Sequence, residues 1–167
     1  FGGYLIHRYG PERQVFQDDR NEIHEPLLRR IWEIFQSSDV AGWSNLLAEY
    51  GADTALVRYH PPIRVTDPQG TDLGLRGFST LWFPDRGWAL VYWDDVAMVF
   101  VRRHTASPNL LERHEYRVLR PDDLAYLEQR LARDPDLLPF VAQEVARAAH
   151  ANPTSWRAHQ IADLIQR

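Results

Sequence analysis

Two apolar runs, Trp88-Ala-Leu-Val-Tyr-Trp93 and Val96-Ala-Met-Val-Phe-Val101, are separated only by Asp94-Asp95. No other stretch constrains the fold as strongly. Aromatic and β-branched residues favour strands, and so short a connection predicts an antiparallel hairpin. Nearly every position in both runs is apolar, which predicts a sheet covered on both faces. The covering layers must then come from the rest of the chain. The two acids read as exposed turn residues, and a carboxylate-based site elsewhere is their alternative use.

From Ser107 the chain changes character and reads as helical. Ser107-Pro108, Arg120-Pro121, Asp134-Pro135 and Asn152-Pro153 recur as helix starts, three of them with a capping residue before a proline suited to the first turn. They predict helices over about 108–118, 122–133, 136–150 and 154–166. Before the hairpin the signals are shorter. Residues 1–9 form a short helix or a strand, ended by Gly10-Pro11, and 14–17 read as a strand. Glu25-Pro26 starts a helix carrying Leu27, Leu28, Ile31, Ile34 and Phe35 at helical spacing. A second helix holds Trp43, Leu46, Leu47 and Tyr50 and closes at Gly51. Ala52–Tyr59 reads as a strand, and 61–76 as a long loop of the kind that often carries function. The expected fold is α/β: a mixed sheet with flanking helices and a terminal β-hairpin over 1–105, followed by an all-α helical extension over 106–167.

Composition removes several functions. With 44% hydrophobic residues and six tryptophans in 167 residues, the chain can bury a real core. A net charge of −4 disfavours a general nucleic-acid partner. No cysteine is present, which excludes disulfides, thiolate nucleophiles and cysteine-ligated zinc. All 19 basic residues are arginine, so a Walker lysine, a Schiff base and a lysine-dependent nuclease site are excluded too. No cofactor-binding motif is found: Gly70, Gly74 and Gly77 lack the strand-to-helix context of a dinucleotide site.

Four segments occur in a recognisable order: Gly2-Gly3-Tyr4-Leu5-Ile6; Val15-Phe16-x-Asp18-x-Arg20; Trp43-x-x-Leu46-Leu47-x-x-Tyr50-Gly51-x-Asp53; and Trp88-x-Leu90-Val91-Tyr92-x-Asp94-Asp95-Val96-Ala97-x-Val99-Phe100-Val101-Arg102. Over residues 2–102 this resembles the soluble extracytoplasmic domain of bacterial polytopic membrane proteins related to membrane glycosyltransferases and oligosaccharyltransferases. The resemblance implies a periplasmic, membrane-attached domain whose first segment follows the last membrane helix of its parent. A start in mid-element at Phe1 reads as a cut from such a protein. It also implies tetratricopeptide-like helices after the hairpin. Val141, Val145, Ala148, Pro153, Ala158, His159 and Ala162 fit half-repeats of that kind. The family pattern Phe-x-Asp-Gly-Arg has Asp19 in place of its glycine here, which bears on any shared ligand site.

Candidate binding residues follow from two groupings. Asp18, Asp19, Arg20, Glu22 and His24 form the densest polar cluster. Carboxylates at a strand end beside a histidine suit a divalent cation or acid–base work, and their alternative is a solvated loop fixed by an Asp18–Arg20 pair. Trp82 and Trp93 lead an aromatic set, with Phe83, Trp88 and Tyr92, whose rings suit sugar stacking if exposed and core packing if buried. The leading expectation is a non-catalytic accessory domain of a glycosyltransferase-like membrane protein. Its partners would be the parent's transmembrane part and a protein or glycan, with no nucleic acid. Two alternatives stand beside it. One is a metal-dependent hydrolase or transferase using Asp18, Asp19 and His24, and the other is an autonomous protein-interaction module.

Overall fold

The computed structural model describes residues 1–16, 24–66 and 69–166, and the chain divides into two compact units, Phe1–Ala52 and Asp53–Arg167. The first unit contains α1 (Gly2–Tyr9), α2 (Glu25–Gln36) and α3 (Val40–Glu49). Residues 1–9 thus take the helical alternative, while 14–16 form no strand and Gln17 lies outside the described residues. Pro26 occupies the first turn of α2, where its missing N–H costs nothing. Leu27 and Ile31 of α2 are buried, as are Trp43, Leu46 and Leu47 of α3. Rings complete this small core: Phe16 meets Trp43 and Tyr50 edge-on at 6.3 and 5.1 Å, and Phe35 lies 5.1 Å from Trp43. On the outside, Arg30 donates to both Glu49 oxygens at 2.9 and 2.8 Å, tying α2 to α3. Asp39 caps α3 by accepting from Gly42 N at 2.8 Å. A Cβ on Gly42 would stand 2.2 Å from that carboxylate, which would have to shift to make room. Gly51 has φ +61°, the left-handed value that ends a helix at this position.

The second unit contains β1 (Thr54–Arg58), β2 (Ile63–Thr66), β3 (Asp72–Arg76), α4 (Phe78–Trp82), β4 (Trp88–Trp93), β5 (Ala97–Arg102), α5 (Pro108–His114), α6 (Leu124–Arg133), α7 (Leu138–Ala151) and α8 (Trp156–Ile165). The fold is α/β with a helical extension. Strands β4 and β5 form the expected hairpin, and β1 pairs with the far side of β5, giving the order β1-β5-β4. A mixed sheet was expected, but every ladder among the described residues is antiparallel. Hairpin connection accounts for β2–β3 and β4–β5, which need no crossover, whereas β1 joins β5 across the intervening elements. The register slips between Leu90 and Tyr92, a bulge that leaves Leu90 and Trp93 on the buried face. Leu90, Met98 and Phe100 are fully enclosed, and Phe83 stacks on Phe100 at 5.0 Å. Each such side chain contributes about 1.5–3 kcal/mol through burial.

The stretch 61–76, expected as a loop, is instead the β2–β3 hairpin. Gly70 and Gly74 have φ +86° and +83°, and the register shifts between Val65 and Thr66. The helical extension is not a separate unit, so the boundary expected near residue 105 marks no division of the structure. Tyr116 N donates to Leu90 O at 2.8 Å, fastening the chain after α5 to strand β4. From α7, Glu144 accepts from the backbone N–H groups of Arg117, Val118 and Leu119 at 2.5, 3.3 and 2.9 Å. Arg147, one turn away, donates to the carbonyls of Arg113, His114 and Glu115 and lies 4.0 Å over the Tyr116 ring. Helices α7 and α8 pack through Val141, Val145, Ala148, Ala158 and Ile161. Two of the four expected helix starts shift downstream: α6 is capped by Asp123 and α8 by Ser155, because the prolines at 121 and 153 lie in turns before the helices.

Candidate binding cleft

The sheet and the helices of the second unit meet where acids accept backbone N–H groups. Asp123 caps α6, accepting from Tyr126 N at 3.0 Å, and its other oxygen accepts from Gly77 N at 2.7 Å. A Cβ on Gly77 would stand 2.7 Å from Asp122 O, so glycine is needed for this approach. Neighbouring Asp122 accepts from Ser79 N at 2.8 Å and from Ser79 Oγ at 2.5 Å. Burial pushes the Asp122 carboxyl above the usual range, and the Ser79 bonds and the Arg120 charge oppose this only in part.

The turn acids of the β4–β5 hairpin behave similarly. Asp94 accepts from Val96 N and Ala97 N, both at 2.8 Å, and from Tyr92 OH at 2.9 Å. Asp95 reaches the start of α8, accepting from Ser155 Oγ at 2.7 Å, Arg157 N at 3.1 Å and Trp156 N at 3.2 Å. Desolvation pushes the Asp95 carboxyl up, but these hydrogen bonds together outweigh it and the net shift is downward. Both acids are half-buried structural ties, not exposed turn residues.

Between these ties lies an open cleft of about 360 Å³, a size typical of small-ligand sites. The end of β1 brings Tyr59, His60 and Pro62, and β3 brings Leu75. The start of α6 contributes Pro121 to Ala125, and α8 contributes Arg157 and Gln160. Tyr59 OH donates to Asp94 O at 2.8 Å, which fixes the ring, and burial raises the phenol above the ordinary tyrosine range. The Arg157 guanidinium lies between two rings, 3.6 Å from the Tyr59 centroid and 4.5 Å from that of Trp156. It donates through Nη1 to Pro121 O at 3.3 Å. His60 stacks on Phe78 at 4.4 Å. Burial, helped by the charge of Arg58, pushes the His60 imidazole below its usual value, with Asp122 opposing, so the ring is neutral at pH 7.

The polar groups here divide into two kinds. The acids are committed to the fold. Among the described residues, none hydrogen-bonds the His60 ring or the Gln160 amide, yet His60 is held by stacking and Gln160 sits on a helix. Such groups are positioned but unspent, which suits ligand binding.

The residues singled out from sequence fall elsewhere. Asp18, Asp19, Arg20 and Glu22 lie outside the described residues, and His24 is half-buried at the start of α2. Among the described residues, no group of three or more His, Asp or Glu side chains could hold a metal ion. Trp82 and Trp93 are 3% and 4% exposed and pack against Phe78 and Tyr116, so they present no ring to a ligand. Trp82 ends α4 and Trp93 ends β4, both on the covered side of their elements, and a tryptophan there is core. The indole that does face outward beside the cleft is Trp156, 56% exposed. Sequence reasoning passed over it, although its place one residue after a helix cap was a usable signal. Comparison with protein-family models, curated proteins and solved structures finds no match.

Proposed function

We propose that the chain is a non-catalytic binding domain that acts as an accessory, outside the cytoplasm, to a glycosyltransferase-like membrane protein. One observation carries the binding part of this reading. The acids around the cleft accept N–H groups of the fold, whereas the groups left for a ligand are His60, Gln160 and the free edge of Arg157. The carboxylates of the cleft are not poised toward a substrate: Asp122 clasps Ser79 and Asp123 caps α6. The order of the Gly2–Ile6, Trp43–Asp53 and Trp88–Arg102 motifs supports the accessory setting.

The test pairs binding with turnover. The purified chain is assayed against activated glycosides and phosphodiesters, with Mg²⁺ or Mn²⁺ added, while a fragment library is titrated by ¹H–¹⁵N NMR. The expected result is shifts at His60 and Gln160 and no turnover above buffer. Turnover abolished by Asp122→Asn or by Asp18→Asn would overturn the non-catalytic reading. Upstream membrane helices in the parent reading frame test the setting, and a parent without them removes it.

A further inference from the structure

We infer that strand β1 is the docking edge for a second copy of this chain, the two β1 strands pairing antiparallel about a twofold axis at Leu56.

The two edges of the three-stranded sheet differ. Beyond β4, Tyr116 bridges Leu90, so the chain itself partly closes that edge. Beyond β1, none of the described residues pairs with Thr54–Arg58. Asp53 O accepts from Arg102 N at 2.8 Å, so Asp53 faces β5, and Ala55 and Val57 follow it by alternation. The N–H and C=O groups of Thr54, Leu56 and Arg58 therefore point away from the sheet. Natural proteins blunt such edges with proline, lysine or a bulge. Strand β1 has no proline and no lysine, and its ladder with β5 runs without a register shift. The bulge of this sheet lies in the β4–β5 ladder instead. A row of alternating donors and acceptors fits one kind of ligand, an extended backbone.

The side chains favour β1 itself as that backbone. Thr54, Leu56 and Arg58 are exposed, whereas Val57 is buried. The register sets Leu56 beside Val99, and Val99 beside Tyr92. An apolar row thus crosses all three strands and stops at the open edge, with Leu56 38% and Tyr92 48% exposed. Pairing about Leu56 sets it opposite the partner's Leu56 and continues the row into the partner's Val99. Thr54 then stands opposite the partner's Arg58, so no like charges face each other across the joint. Each outward N–H meets an outward C=O in the same register. With five residues a side, the contact lies at the small end of interfaces, so the association is reversible.

The experiment uses the 167-residue chain. Sedimentation equilibrium between about 10 µM and about 1 mM should show a reversible monomer–dimer equilibrium. Leu56→Lys and Leu56→Glu each place like charges across the axis, and each alone should weaken dimerisation at least about tenfold. An equimolar mixture of the two should restore it, because opposite charges then meet at the axis. Hydrogen exchange on the parent chain gives a readout that needs no variant to fold. The amides of Leu56 and Arg58 should slow as concentration rises, while those of Ala55 and Val57, already bonded to β5, should not change. A chain that stays monomeric at about 1 mM would overturn the inference. So would dimers that survive both charge variants alone, or dimerisation that leaves the Leu56 and Arg58 amides unprotected.

Discussion

Residues 1–52 and 53–166 each hold short helices in place, but with different chemistry. In the first unit the helix-to-helix tie is the Arg30–Glu49 pair, with both side chains about half exposed. In the second the ties are carboxylates seated on backbone N–H groups: Glu144 on 117–119, Asp123 on Gly77 and α6, Asp95 on α8. Water competes with an exposed ion pair, and salt screens it. A carboxylate seated on several part-buried backbone donors is less open to that competition, and removing it takes the acceptor from several donors at once. The second kind of tie therefore fixes geometry, which a binding cleft built from four separate segments requires.

Glu144→Ala tests this contrast most severely. It should destabilise the second unit by about 2–3 kcal/mol, read by urea denaturation, because three N–H groups lose their acceptor. Glu144→Gln should cost less, since its amide carbonyl still accepts. A cost for Glu144→Ala as small as that of a surface substitution would erase the distinction between the two units. Asp123→Ala follows, at about 1–2 kcal/mol, from the lost α6 cap and the lost acceptor for Gly77.

The pH dependence differs by site. Burial raises the folded-state values of Asp122 and Glu144, so their contribution is largest at low pH and is lost as pH rises through those folded values. Asp95 is lowered, so its contribution is present above the unfolded carboxyl value and is lost as pH falls through the folded one. Asp95→Asn should accordingly lower stability at neutral pH and flatten the acid limb, with the difference from the parent chain vanishing as pH falls below the folded value. For His60, an NMR titration should place the midpoint below that of a free histidine, and Asp122→Asn should move it lower still, because that charge opposes the shift. No movement would mean that Asp122 is already protonated at those pH values. The smallest effect belongs to the first unit. In a double-mutant cycle, the coupling between Arg30 and Glu49 should fade into the error at about 1 M salt, where the Debye length is about 3 Å.

Local elements were legible in sequence where one signal dominated. The β4–β5 hairpin and the helix entered at Ser107-Pro108 are found where apolar runs and capping residues place them. The β2–β3 hairpin was not legible. Its strands are short, Gly70 and Gly74 interrupt the pattern, and Leu73 and Leu75 stay exposed, so no alternation announces a buried face. The cleft was invisible for another reason. Its members come from 59–62, 75, 121–125 and 157–160, and no local spacing connects them. His60 follows the expected strand 52–59, Asp122 and Asp123 open the expected helix 122–133, and Arg157 and Gln160 lie inside the expected helix 154–166. Each reading was locally sound, and only the packing joined them. The Asp18–His24 cluster drew attention because its residues are adjacent in sequence, and adjacency says nothing about convergence in space.

Asp95 and Ser155 are 60 residues apart in the chain, and their contact closes a long ring. Closing so long a segment is entropically costly, so this contact has no reason to form until the hairpin turn and the α8 start already exist. The staple is thus a late event in folding and an early one in opening. Transient release of Asp95 would let the last helix lift while the β4–β5 ladder stays closed. Arg157 and Gln160 would leave with that helix, so one wall of the cleft has a lifetime set by a turn in the sheet.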